Sequence, residues 1–101
     1  MCMKLFREAL GEVLREERLA QQKTLRTLSG QATIALGYLS EIERGQKELS
    51  SEILYSLATQ GLGLEAYEIV IKAGLRMGGL DEIPDTPQVL VEQYTDLVPQ
   101  N

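Results

Sequence analysis

Two short amphipathic segments follow each other almost without a break in "TLRTLSGQATIALGYLSEIERG", residues 24–45, and this is the feature that most constrains the fold. Apolar side chains recur at helical spacing in both segments: Leu25, Leu28 and Ala32 in the first, and Ile34, Leu39 and Ile42 in the second. Thr24 can cap the first helix, and Gly45 can end the second in the left-handed conformation. We therefore expect helices at residues 25–31 and about 35–44, joined by a short turn as in a helix-turn-helix.

Regular apolar spacing on both sides of this pair predicts more helices. The stripe of the first helix, over residues 4–21, consists of Phe6, Leu10, Val13 and Leu14. Gly11 interrupts that helix, and a residue without a side chain there would let another helix approach closely. A later helix, with Ser50 or Ser51 as its cap, would bury Ile53, Leu54, Leu57 and Ala58.

The C-terminal part of the chain adds two more helical segments. Residues 64–76 contain Ile69, Val70 and Ile71 in succession, and one helix face cannot hold all three. After the acidic connector "LDEIPDTP", Pro87 suits the first position of a last helix. Strand signals are weak throughout, so we expect an all-α fold of five or six helices.

Catalytic and metal-binding chemistry has little support in the composition. The 101 residues include no histidine, and Cys2 is the only cysteine, so the usual general base, nucleophile and soft metal ligands are missing. We therefore expect no enzyme, cofactor, metal ion or small-molecule ligand. No run of about 18 apolar residues could span a membrane. The start "MCMKLFREALG" has no secretory apolar core, so the cytoplasm is the expected compartment.

The charge is unevenly distributed along the chain. The formal net charge is −5, which by itself argues against a polyanionic partner. However, the first 50 residues carry eight bases and seven acids, whereas the rest carry two bases and eight acids. From Arg18 to Lys47, five bases oppose two acids. The helix pair could therefore present a basic surface to nucleic acid, although ordinary solvated surface charge explains the same counts.

In a helix-turn-helix, the second helix lies in the major groove of DNA with its N-terminal residues facing the base edges. Leu39 and Ile42 would then point into the core. Small residues at the front of the helix would let it come close to the bases. The residues expected to face DNA are Ala35, Leu36, Gly37, Tyr38, Ser40 and Glu41. A plain helical hairpin in a small bundle accounts for the same spacing equally well.

The stretch "TLRTLSGQATIALGYLSEIERGQKELSSEILYSLA" resembles the Cro/C1-type (XRE) helix-turn-helix family, whose signature includes "YLSxIERG" in the recognition helix. The resemblance covers residues 8 to about 74. Within the family, "LGYLSEIERGQKELSSEIL" is most similar to the actinobacterial regulators of Clp protease genes, which are dimeric transcription activators of proteolysis and stress genes.

This resemblance implies a five-helix, lambda-repressor-like DNA-binding domain over residues 4–76. From the residues themselves we also expect a short, helical C-terminal extension, residues 77–101, that contributes to dimerisation. The implied partners are double-stranded operator DNA and a second copy of the chain, with Clp protease and RNA polymerase as further partners.

The resemblance also gives roles to individual residues. Glu43 would be a structural acid, paired with an arginine of the first helix, either Arg18 or Arg15. The DNA-contacting set would gain Thr24, Arg26, Arg44 and Lys47 beside the front of the recognition helix. Two residues depart from the family pattern. Leu25 replaces a common glutamine, and Glu41 stands where a base or an amide is common, so the base preference of relatives does not transfer.

Apolar residues beyond the helix pair predict a two-fold interface away from the DNA face. They are Ile69, Val70, Ile71, Met77, Leu80, Leu90, Tyr94 and Leu97. Two recognition helices in such a dimer would lie about 34 Å apart, one turn of DNA. Alternatively, the tail folds back on its own domain.

Two other functions fit the same residues. An antitoxin of this fold would bind DNA and also a toxin, and a protein-interaction module would keep the fold without binding DNA. The acidic total and the few hydrogen-bond donors at the front of the recognition helix favour the second alternative.

Overall fold

The computed structural model describes residues 4–79, and these form a bundle of α-helices without a strand. In chain order the helices are α1 (Phe6–Ala20), α2 (Leu25–Ala32), α3 (Leu36–Glu43), α4 (Ser51–Tyr55) and α5 (Ala66–Met77). Helix α4 continues directly as a π-helical segment, Ser56–Leu62. The expected all-α class is confirmed. None of the helices between residues 4 and 79 is long and apolar enough to cross a membrane. The helix expected after Pro87 lies outside the described residues.

Helix α1 packs against both α3 and α5. Its start is held by the Glu8 carboxylate, which accepts a hydrogen bond from the Leu5 backbone N–H at 3.0 Å. The fully buried side chains of α1 are Ala9, Leu10, Val13 and Leu14. The apolar stripe expected from the sequence also included Phe6, which is 40% exposed. Phe6 is the first residue of α1, and the buried part of this helix begins only at Ala9.

Gly11 lets the backbone of α3 lie directly against α1. A β-carbon on Gly11 would lie 2.3 Å from the carbonyl oxygen of Ile42 and 2.8 Å from that of Glu43. Both distances are far shorter than van der Waals contact, so any side chain here would push α3 away. The close helix approach expected at Gly11 is confirmed, and it positions the end of α3 that carries Glu43.

The turn between α2 and α3 is held by local hydrogen bonds. Thr24 caps α2, because its Oγ1 accepts from the Thr27 backbone N–H at 3.0 Å. Thr33 ends α2 with a φ of 58°, a left-handed conformation that is rare for a β-branched residue. The Ile34 backbone N–H donates to the Ser29 carbonyl at 3.0 Å. These bonds set the direction in which the chain enters α3.

The helices that follow α3 close the other side of the core. Ser50 caps α4 by accepting from the backbone N–H of Ile53, and the π-helical segment buries Leu57 and Ala58 completely. The Gln21 side-chain amide donates to the Leu62 carbonyl at 2.8 Å, which ties the end of this segment to the turn after α1. Helix α5 then packs back on α1.

Candidate nucleic-acid interface

Helix α3 has one buried side and one bare side. Leu39 and Ile42 are fully buried, so the back of the helix belongs to the core, as expected. Ala35, the N-cap residue, and Gly37 in the first turn are both exposed, and Leu36 is 39% exposed. A β-carbon on Gly37 would meet nothing within 4 Å. The N-terminal front of α3 is therefore small and open, which is the shape that a helix needs to approach base edges closely.

The other three residues expected at this front are less available. Tyr38 is half-buried, its ring packs against the core, and its hydroxyl donates to the Glu48 carbonyl at 3.0 Å. The Tyr38 side chain therefore also holds the loop after α3, and its expected contact with DNA stays a prediction. Ser40 and Glu41 are also half-buried.

A buried ion pair joins α1 to the end of α3. Arg18 Nε donates to Glu43 Oε2 at 2.8 Å, and its Nη2 donates to Oε1 at 2.9 Å. Arg18 Nη1 also donates to the Lys23 carbonyl at 2.8 Å, so one guanidinium joins α1, α3 and the turn before α2. The hydrogen bond to the Glu43 carboxylate raises the pKa of Arg18 above its ordinary value. Of the two arginines that the sequence offered to Glu43, the structure pairs Arg18.

The basic residues expected at phosphates lie on α2, at the end of α3 and in the loop that follows it. Arg26, Arg44 and Lys47 are exposed, and within residues 4–79 none of them has an ion-pair or hydrogen-bond partner for its side chain. Arg26 lies in the first turn of α2, and Arg44 is the C-cap of α3. Thr24 is exposed as well, but its hydroxyl oxygen already caps α2. The three cations are thus available to an external anion.

Sequence reasoning missed the residues that hold the loop after α3. Arg7 Nε donates to the Gly45 carbonyl at 3.2 Å, and Arg7 Nη1 lies 3.3 Å from a carboxylate oxygen of Glu48. These contacts join residues about forty positions apart, so no helical spacing could reveal them. Gly45 has a φ of 74°, which confirms the expected left-handed end of the recognition helix.

Helix α5 carries the described part of the expected dimer interface. Val70 is 39% exposed and Ile71 is 47% exposed, whereas Met77 packs partly against the core. Ile69 is fully buried in the core of its own domain and is not available to a partner, so its expected place in the interface is wrong. Tyr67, which the sequence expectation left out, is 63% exposed on the same helix. The remaining residues of that set, Leu80, Leu90, Tyr94 and Leu97, lie outside the described residues.

Several proteins of known structure or known function are similar to this chain. The crystal structure of the clp gene regulator ClgR from Corynebacterium glutamicum has a TM-score of 0.73 and 36% sequence identity, over 95% of this chain and 93% of that one. The transcriptional regulator ClgR of Mycobacterium tuberculosis is 52% identical over 73 residues, 72% of this chain and 64% of that protein. The chain belongs to the ClgR family. No family model matches it.

The ClgR relationship sits within a wider structural likeness. The restriction-modification controller protein C.AhdI from Aeromonas hydrophila has a TM-score of 0.60 and 28% identity, over 62% of this chain and 94% of that one. The Cro/C1-type helix-turn-helix fold is therefore shared. The chain matches 64% of the length of the curated ClgR protein, so the remaining third of that protein has no counterpart in the match.

Proposed function

We propose that this chain is a sequence-specific DNA-binding transcriptional regulator, with residues 36–43 as its recognition helix. The observation that carries the proposal is the division of α3 into a buried back and a bare, small front. In addition, three exposed cations of α2, of the end of α3 and of the loop after it have side chains without a partner within residues 4–79. Its relatives in the ClgR family support the assignment, because their names describe transcriptional regulators of clp genes.

Base recognition in this proposal relies on shape and apolar contact more than on hydrogen bonds. Ala35 and Leu36 can contact thymine methyl groups, and Gly37 lets the helix backbone come close to the bases. Glu41 can accept a hydrogen bond from cytosine N4. Phosphate contacts by Arg26, Arg44 and Lys47 would fix the register of the helix without reading sequence.

The proposed active form is a homodimer. Residues 4–76 would be the DNA-binding domain, and residues 77–101 would complete an interface that begins with Val70 and Ile71 on α5. Exposed Tyr67, Val70 and Ile71 are the physical support, because neighbouring large apolar side chains on one helix favour a protein partner. The interface lies on α5 and thus away from α3.

The regulated genes are proposed from the family. Because the relatives are clp gene regulators, we propose that this chain activates protease and stress genes in the cytoplasm, with RNA polymerase and Clp protease as further partners. No residue between 4 and 79 contributes to a group of three or more potential metal ligands, and the proposal requires no cofactor or catalysis.

The test is selection of genomic DNA fragments by the purified chain at several salt concentrations. A regulator should enrich a few fragments that share a two-fold motif, including one upstream of a clp gene. The test variant is Leu36→Ser, which leaves the core intact and removes an apolar side chain from the front of α3. It should lose enrichment while random DNA is still bound. Uniform weak binding to all fragments, or none, would instead favour the interaction module.

A further inference from the structure

An open cleft lies between α1, α2 and α3, beside the recognition helix. Its volume is about 560 Å³, and it is lined by Glu12, Arg15, Arg18, Leu25, Ser40, Glu43 and Arg44. Three helices contribute to it: the middle of α1, the first residue of α2 and the second half of α3. Of its three arginines, Arg18 is paired with Glu43 and Arg44 is proposed to contact phosphate, but Arg15 has no role so far.

Most of the charge in the cleft is already balanced. The buried Glu43 is held by Arg18 through two hydrogen bonds. Glu12 accepts from Lys4 and from Arg76, and the hydrogen bond from Lys4 does most to lower its pKa, so this carboxylate stays ionised but is compensated. The negative charges of the cleft are thus committed to other cations.

Arg15 and Arg44 are the uncompensated charges. Both are exposed, and neither has a hydrogen-bond or ion-pair partner for its side chain among residues 4–79. They approach the cleft from different helices, Arg15 from α1 and Arg44 from the end of α3. Two unpaired guanidinium groups that line one cleft attract a phosphate, because the planar fork of arginine matches the spacing of phosphate oxygens.

We propose that this cleft binds one phosphate group between Arg15 and Arg44, with the Ser40 hydroxyl as a neutral donor. The phosphate belongs either to the DNA backbone, in which case the inference rests on the proposed function, or to a free phosphate-containing anion. The Arg18–Glu43 pair forms the buried wall of the cleft and joins α1 to α3. Arg15 is then a contact residue, a role the sequence did not suggest for it.

The first experiment measures DNA affinity against salt for Arg15→Gln. Each phosphate neutralised changes the slope of log K against log salt by about 0.9. Arg15→Gln should therefore bind both specific and random DNA more weakly, with a slope shallower by about one. Arg15→Lys keeps the charge without the fork and should retain the parent slope with reduced affinity.

The matched control is Lys72→Gln, which removes one positive charge from α5. Lys72 pairs with Glu17, and Glu17 lies two residues from Arg15, which places it on the opposite side of α1. This variant should keep the parent slope. Because Arg15 has no partner within residues 4–79, Arg15→Gln should melt at the parent temperature, and a thermal scan of each variant checks that the fold is intact.

The second experiment follows the arginine side-chain N–H resonances of the free protein by NMR while inorganic phosphate is added. Saturable shifts at Arg15 and Arg44, with the Arg44 shift lost in Arg15→Gln, would support the site even if DNA binding itself were absent. A changed salt slope without phosphate shifts assigns the site to the DNA backbone, and shifts without a changed slope assign it to a free anion. An unchanged slope together with unshifted arginines would overturn the proposal.

Discussion

The two sides of α1 are joined to their neighbours in opposite ways. Towards α3 the contact is dry: Gly11 admits the α3 backbone, and the Arg18 and Glu43 side chains are only 9% and 5% exposed. Towards α5 each charged contact has one exposed partner: Lys72 and Glu16 have side chains 47% and 60% exposed, whereas Glu17 and Arg76 are only 19% and 12% exposed. Helix α1 thus has two joints, by which we mean its contacts with a neighbouring helix: a buried joint with α3 and a partly water-accessible joint with α5.

The physical consequence is a difference in tolerance. A buried pair cannot lose one partner without leaving an unpaired charge out of water, and a backbone contact cannot accept an added carbon. An exposed pair that loses one partner is simply hydrated again. The charged contact that holds the end of α3 should therefore tolerate substitution less than the ion pairs between α1 and α5, although Ile69 and Ala73 of α5 are fully buried.

The largest expected effect is that of Glu43→Ala. It leaves the Arg18 guanidinium buried without its carboxylate, and breaking one partner of such a pair costs about 3–5 kcal/mol. Urea denaturation measures the change in the free energy of unfolding. Glu16→Ala, which removes an exposed carboxylate bound by Arg76, is the matched control and should cost at most about 1 kcal/mol. Similar losses in the two variants would contradict the contrast between the joints.

Gly11→Ala should have the next largest effect. The added methyl group would meet the Ile42 and Glu43 carbonyl oxygens, and overpacking of this kind costs about 1–3 kcal/mol. Gly30→Ala is the control, since a β-carbon there meets nothing within 4 Å and helix propensity favours alanine by up to about 1 kcal/mol. A Gly11→Ala protein as stable as the parent would show that α3 can shift freely along α1.

The joint with α3 was largely readable from the sequence, and the joint with α5 was not. The "YLSEIERG" block places Glu43 by family resemblance, and a glycine inside the first helix is unusual enough to predict close packing. The α1–α5 ion pairs and the Arg7 contacts join residues 38 to 64 positions apart on polar helix faces. Charge spacing within one helix carries no information about such pairs, so only the fold reveals them.

The positions of the α3 side chains could also be predicted only in part from the sequence. Leu39 and Ile42 were predicted to face the core from helical periodicity, and both do. Tyr38 was expected at the front of α3 because it lies near the start of the proposed recognition helix. Its hydroxyl donates to the Glu48 carbonyl, a contact that depends on the path of the loop after α3.

The sequence of α5 did not show which of Ile69, Val70 and Ile71 is buried. That depends on how α5 packs on α1.

Gly37→Ala should separate stability from DNA binding. The fold does not require this glycine, because a β-carbon there meets nothing within 4 Å, so alanine should stabilise α3 by up to about 1 kcal/mol. If the front of α3 approaches base edges, the same methyl group should weaken specific binding while leaving the salt slope unchanged. A thermal melt and DNA titrations measure the two effects. A variant that binds DNA as tightly as the parent would place Gly37 outside the interface.

The smallest expected effect concerns acidity at the α5 joint. Hydrogen bonds from Arg76 lower the pKa of Glu16 below its ordinary value of 4.5. A carboxyl group with a lowered folded-state pKa adds stability above its unfolded pKa and loses it as the pH falls through the folded value.

Because Glu16 is largely exposed, this contribution should be only a few tenths of a kcal/mol. Glu16→Gln should therefore be slightly less stable than the parent near about pH 7, and the difference should be smaller near about pH 3, below the ordinary pKa of 4.5. Urea denaturation at both pH values measures it. A difference of the same size at both would mean that Glu16 acts through packing and not through its charge, and the water-accessible joint would then be less electrostatic than its geometry indicates.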